Sequence, residues 1–162
     1  MPYQTGTRHN FATPATHKSS MIQDRFAGSK IALICDGTLL TYKRDDKPSI
    51  PFPGYWDLPG GGREGEETAE ECAMRELEEE FGITVDANRI EWSRRYEGER
   101  ADGLAAYFFV AHLHANEIAA IRFGDEGQYW KMTPIEDFLT NEQAVPQLKR
   151  RLQDYLNGPA QR

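Results

Sequence analysis

Apolar runs of strand length alternate with polar breaks along this chain, and two stretches carry a helical period. Lys30–Cys35 (KIALIC) is one apolar run, Asp36-Gly37 is a turn signal and Thr38–Tyr42 (TLLTY) is a second run. Together they predict a β-hairpin. Arg44–Pro53 holds three prolines and two aspartates and is expected to be a loop. Tyr55–Leu58 reads as a short strand end, broken by Pro59-Gly60-Gly61-Gly62. Thr68-x-x-Glu71 is a capping pattern and Gly82 a stop signal, so a helix is predicted between them. Arg89–Tyr96, Leu104–Leu113 and Gln128–Met132 read as strands, and Thr133–Leu139 as a helical turn. Val145–Leu156 has Leu148, Leu152 and Tyr155 on one side and ends at Asn157-Gly158-Pro159, which predicts an amphipathic helix. Strands with one helix between them and another at the end predict an α/β fold, a mixed-sheet sandwich.

No repeat or long linker divides the chain. Residues 29–158 read as one domain, and 159–162 as a short tail. Residues 1–28, polar and rich in Thr, Ser and His, read as an arm, packed on the domain or partly disordered. At 162 residues and 39% hydrophobic, the chain has material for a single core. No apolar run approaches the roughly 20 residues of a membrane helix. The opening MPYQTGTRHNFATP lacks the basic-then-apolar pattern of a secretory signal. The only cysteines, Cys35 and Cys72, are too few for a disulfide framework. A cytoplasmic protein is the expectation, with no membrane partner.

Charge sharpens the picture. The net charge is −7, and Arg63–Glu80, with nine acids and two bases, accounts for all of it. Duplex nucleic acid is therefore not an expected partner, since its binders carry a basic patch. Within the block, Glu76, Glu79 and Glu80 stand at i, i+3 and i+4 and share one helix face with Ala69, Cys72 and Ala73. The stripe starts apolar and ends acidic. Either it is a solvated Glu-rich face, or its mutual repulsion is offset by a hard divalent cation, which prefers oxygen ligands. Met74, Leu77 and Phe81 cover a second side. Just upstream, Leu58-Pro-Gly-Gly-Gly-Arg-Glu-Gly65 would let backbone approach a phosphate or a metal closely. Loop, capped helix and carboxylates together describe a metal–phosphate site. His112-x-His114 on a predicted strand would share a face, an arrangement that suits plain surface residues as well as metal binding.

These residues resemble the Nudix hydrolase family. Gly61, Glu67, Arg75-Glu76-Leu77-x-Glu79-Glu80-x-Gly82-Ile83 matches the Nudix box at nine set positions over 23 residues. The resemblance implies an α/β/α sandwich with a mixed sheet between helices. It also implies Mg²⁺- or Mn²⁺-dependent hydrolysis of a nucleoside diphosphate linked to another moiety. By the same resemblance Glu76, Glu79 and Glu80 are metal ligands and Gly60 offers its backbone carbonyl. Glu126, in Asp125-Glu126-Gly127-Gln128, would be a further ligand or base; Glu79 or Glu126 is the expected general base. Arg75 would hold a box carboxylate, Glu67 would brace the loop and Gly82 would end the helix.

Outside the box the chain is closer to MutT-like triphosphate hydrolases, with a small-molecule nucleotide as substrate. Arg44 stands where such enzymes contact phosphate. Gly61 lies at the substrate edge of the loop. Asn141 resembles an asparagine that reads a purine, its alternative being a cap on the last helix. A nucleotide sugar, ADP-ribose or another nucleoside diphosphate derivative is the rival substrate, and a non-catalytic nucleotide-binding module the rival from outside enzymes. The marks of other branches are missing: Glu97-Gly98 stands where an ADP-ribose class has proline. Leu39–Arg44 resembles only the start of a coenzyme A signature.

Overall fold

The computed structural model describes residues 24–158. The expected arm therefore lies outside the described residues up to position 23, as does the tail 159–162. The boundary at 28/29 moves, because β1 spans Phe26–Cys35. Its start pairs on both sides, Gly28 with Ala106 and with Gly62, and Phe26 is buried. Ala27-Gly28-Ser29 carries no strand propensity, so only its neighbours reveal it.

The hairpin follows as expected, with β2 at Thr38–Lys43, turning on Asp36 and Gly37, both with positive φ. Next come β3 (Trp56–Asp57), β4 (Gly60–Gly62) and helix α1 (Ala69–Phe81). The glycine run was expected to break a strand; instead Gly60–Gly62 is a strand, antiparallel to Gly28–Lys30 of β1. A short 3-10 turn, Ala87–Arg89, leads into β5 (Ile90–Tyr96) and β6 (Ala105–His112). Helix α2 (Ala115–Ala119), which the hydrophobic pattern does not announce, precedes β7 (Tyr129–Pro134). The chain closes with α3 (Ile135–Thr140) and α4 (Pro146–Asn157).

The sheet runs β3-β2-β1-β6-β5, with β7 on β2 and β4 on β1. β1 and β6 are parallel and the other pairs antiparallel, so the sheet is mixed. β1 and β2 pair at Ile34–Leu39 and Cys35–Thr38 and then part. Into that fork runs the segment Trp56–Gly62, whose β3 joins β2 at Tyr42–Asp57 and whose β4 joins β1 at Lys30–Gly60. Alternation along the strands then builds two cores. Ile31, Leu33, Leu40 and Phe109 meet Cys72, Ala73, Leu77 and Phe81 of α1. Ala32, Leu39, Phe108 and Val110 meet Phe138 of α3 with Leu148 and Leu152 of α4. The result is an α/β/α sandwich, as the box resemblance implied.

Candidate active site

The acidic stripe sits where the capped helix meets the wedge in the fork. Thr68 Oγ1 accepts from Glu71 N at 3.2 Å and starts α1, and Gly82, at φ 66°, stops it with its N–H on Glu78 O. Ala69, Cys72 and Ala73 are buried against the sheet, so the stripe is apolar at its start as expected. Its acidic end is graded. Glu80 is 6% exposed and accepts from Gly60 N at 2.9 Å. The Glu76 side chain is 15% exposed and that of Glu79 57%.

Gly60 adopts φ 132°, and a Cβ there would meet Ser29 O at 2.1 Å. At Gly61 a Cβ would stand 2.6 Å from the Glu76 carboxyl carbon. Glycine at 60 thus lets β4 close on β1, and glycine at 61 lets Glu76 press against backbone. Burial is the main force pushing the Glu80 carboxyl up to about 7, opposed by Lys30 and by the Gly60 N–H. Burial also raises Glu76, against the pull of Arg75.

Arg75 ties the box together. Its guanidinium donates to both Glu67 oxygens at 2.8 and 3.0 Å, to Gly62 O at 2.8 Å, to Glu76 at 3.0 Å and to Glu79 at 3.1 Å. Glu67 in turn accepts from Glu64 N and braces the loop. The Arg75 bonds hold its carboxyl down to about 2. Arg75 and Glu67 thus contact the carboxylates and the loop that the box resemblance assigned to them.

The remaining expected residues divide. Glu126 is exposed on the loop before β7. That loop is pinned to the end of α1 by Arg122 N on Phe81 O and Gly124 N on Glu80 O, and to β2 by Gln128 N on Lys43 O. Arg44 lines a cavity of about 380 Å³, with Lys30, Asp57, Gly61, Phe52 and Gln147. Asn141 does not. It lines a separate cavity of about 110 Å³ beside Trp56 and Lys131. Its Oδ1 accepts from Gln143 N at 2.8 Å, and α4 is capped by Val145, so Asn141 does not cap the last helix and stands apart from the cavity that Arg44 lines. The hairpin-like segment Asn141–Val145, pinned to Trp56 N and O, carries it away from the large cavity. His112 pairs with Glu91 at 3.0 Å while His114 lies past the strand as the cap of α2, so the two do not form a shared site.

Sequence reasoning missed Lys30 and Asp57. Asp57, 2% exposed, accepts from Lys30 Nζ at 3.1 Å, Tyr42 OH at 3.0 Å and Arg44 Nη1 at 2.7 Å. Burial alone would raise its carboxyl, but Lys30 and Arg44 hold it below the ordinary value. Lys30 Nζ also reaches Leu58 O and Gly60 O, each at 3.1 Å. The only signal was a lone lysine at the head of an apolar strand run.

Among the described residues no three acidic, histidine or cysteine side chains already converge on one point. Arg75 draws Glu76 and Glu79 sideways, and Gly60 N holds Glu80. The donor set nonetheless suits a hard divalent cation. It offers carboxylate and carbonyl oxygens, and burial raises two of its carboxyls even beside Arg75 and Lys30.

The profile of the NUDIX domain family matches residues 27–155. An uncharacterized Nudix hydrolase of Listeria innocua is 34% identical over 98 residues, 54% of this chain and 55% of that protein. The chain thus spans about half the length of the curated relatives it matches first. The nucleoside triphosphatase NudI of Salmonella arizonae is 33% identical over 110 residues, 64% of this chain and 77% of that protein. Among solved structures, a MutT Nudix hydrolase from Burkholderia pseudomallei is 26% identical with TM-score 0.63, over 81% of this chain and 97% of that one.

Proposed function

This chain belongs to the Nudix family, and from that premise we propose that it hydrolyses a diphosphate linkage of a nucleoside triphosphate or related nucleotide with Mg²⁺ or Mn²⁺. The observation that carries the reading is the acidic end of α1 seated against Gly60 and Gly61, the second of which also lines the 380 Å³ cavity with Arg44. Glu76, Glu79, Glu80, Glu126 and the Gly60 carbonyl would hold the cation. That carbonyl has a second lone pair beside the one Lys30 engages. When bound, the cation neutralises phosphate charge and acidifies water. Glu79 is the exposed carboxylate of the stripe and can reach a water proton; Glu126 is the other candidate base. Arg44 spends Nε on Pro51 O and one Nη1 proton on Asp57, which leaves donors for phosphate oxygens. The relative named a nucleoside triphosphatase supports the triphosphate choice over a nucleotide sugar. No helix among the described residues is long and apolar enough to cross a membrane.

The test is turnover of the four common nucleoside triphosphates in Mg²⁺, with products separated by chromatography, and again in excess chelator. Chelator-sensitive release of a mononucleotide supports the reading. Turnover of none of them, with turnover of a nucleotide sugar or ADP-ribose, would replace the substrate class.

A further inference from the structure

The large cavity has a second positive end that the box residues do not explain. Arg44 and Gly61 line it on the side of β1 where β2, β3 and β4 lie. On the other side of β1 the sheet continues through β6 to β5. There the wall is Ala106 of β6, Glu99 and Arg100 of the β5–β6 loop, and Arg150 and Arg151 of α4. Neighbouring strands lie about 4.8 Å apart, which separates the two ends by roughly 10–15 Å.

Arg151 is the residue that needs an explanation. It is 5% exposed, and its guanidinium lies over the Tyr96 ring, 4.7 Å from the centroid. Nη2 donates to one Glu99 oxygen, whereas Nε is buried with no acceptor among the described residues. A buried N–H without an acceptor is rare and costly. An arginine often meets a carboxylate through two parallel N–H···O bonds. Here the second Glu99 oxygen is turned instead to Arg150 Nη2, at 3.4 Å. One carboxylate therefore serves two guanidiniums. Burial would raise the Glu99 carboxyl, yet Arg151 and Arg150 hold it below its ordinary value.

The surrounding charges do not close the account. Arg100, next to Glu99, is held by Asp102, with Nη2 at 2.7 Å. Arg94 and Asp154 pair with each other at 3.5 Å and add no net charge. Arg100, Arg150 and Arg151 thus share Glu99 and Asp102, which leaves this end of the cavity with a surplus positive charge. A phosphate suits it better than a carboxylate does. It carries more charge, and its additional oxygen lets one group meet Arg151 through Nε and Nη2 and still meet Arg150.

We propose that Arg150 and Arg151 form an anion subsite for a second phosphate of the substrate, away from the diphosphate, with the Glu99 carboxylate holding the place of that phosphate until it binds. The proposal deepens the hydrolase reading and rests on it for the diphosphate end. It favours, over a plain nucleoside triphosphate, a nucleotide with a further phosphate on its ribose.

Titration calorimetry on the full chain in excess chelator tests the subsite apart from catalysis. The probes are AMP, adenosine 2′,5′-bisphosphate and adenosine 3′,5′-bisphosphate. Wild type should bind at least one bisphosphate ~10-fold or more tighter than AMP, the scale of a hydrogen bond to a charged group. Arg151→Met should erase that advantage with AMP binding unchanged. Because Arg151 is buried, Arg150→Ala, at a side chain 61% exposed, is the second variant. It should cut the advantage ~3-fold or more. Glu99→Gln should enlarge it ~3-fold or more, a gain that a merely structural clamp would not give. The dinucleotide pApA, whose second phosphate is a diester, separates the sources. Binding as tight as that of the bisphosphate points to an RNA 5′ end and weaker binding to a small nucleotide, and both keep the subsite. No advantage in wild type, or one that is neither cut in Arg150→Ala nor enlarged in Glu99→Gln, overturns it. Selective bisphosphate binding by a protein that hydrolyses no diphosphate linkage would keep the subsite and sink only the reaction assigned above.

Discussion

A carboxyl that is 6% exposed, like that of Glu80, holds its charge against a desolvation cost which one backbone N–H and the nearby Lys30 only partly offset. Its folded pKa is raised to about 7, above the ordinary value of 4.5. The folded state therefore holds the proton more tightly, and its stabilising share is complete below about pH 4.5. That share is lost as pH rises through about 7. The metal-free protein should show a falling Tm between pH 5 and pH 8, and Mg²⁺ should raise Tm more at pH 8 than at pH 5 by binding the folded state. Equal Mg²⁺ shifts at both values would remove Glu80 from the cation site. Glu79, already 57% exposed, makes a cleaner catalytic test. Glu79→Gln should lower kcat by ~10²-fold or more with Tm nearly unchanged. A near-normal kcat would pass the base role to Glu126, to be checked with Glu126→Gln. The box residues were legible because their chemistry repeats at helical spacing. Asp57 was not, because a lone acid in a short strand carries no signal until its three donors are seen.

At the scale of elements, α1 behaves as a rigid arm whose two ends set where its carboxylates fall. Gly82 adopts φ 66°, and a Cβ there would lie 3.2 Å from Arg122 Cβ and 3.3 Å from Arg122 O. The loop that carries Glu126 packs on the same turn, through Arg122 N on Phe81 O. Gly82→Ala should cost about 1–2 kcal/mol for left-handed strain alone, more with the Arg122 clash, measured by urea unfolding. Thr68→Ala, at the other end, should cost about 1 kcal/mol through loss of its bond to Glu71 N. If Gly82→Ala costs less than Thr68→Ala, the stop is not rigid. The helix ends and the hairpin were legible because each has local chemistry: a hydroxyl cap, a left-handed glycine, an Asp-Gly turn. β4 was not, because three glycines have no side chains to declare a strand; its pairing with Gly28–Lys30 is imposed by the β1–β2 fork. For the same reason β1 begins before its apolar run does.

The whole molecule depends on that fork, since the two cores lie on opposite faces of a sheet whose β1 and β2 pair only at one end. Asp57 closes the opening. It takes Lys30 from β1, Tyr42 from β2 and Arg44 from the loop that carries Phe52. Through Lys30 the same junction reaches Gly60, whose N–H holds Glu80 on α1. Removing one charge from such a group is costly because the others lose their counter-charge, about 3–5 kcal/mol in dry pairs. Lys30 and Arg44 each keep 21% exposure, which puts Asp57→Asn near the low end, roughly 3 kcal/mol. The loss should appear in urea unfolding, together with a raised nucleotide KM as Arg44 loses its anchor. Adding Lys30→Met to Asp57→Asn removes one stranded cation, so the double variant should recover part of the stability. Strict additivity of the two losses would mean that Lys30 and Asp57 act independently and that backbone pairing alone holds the fork.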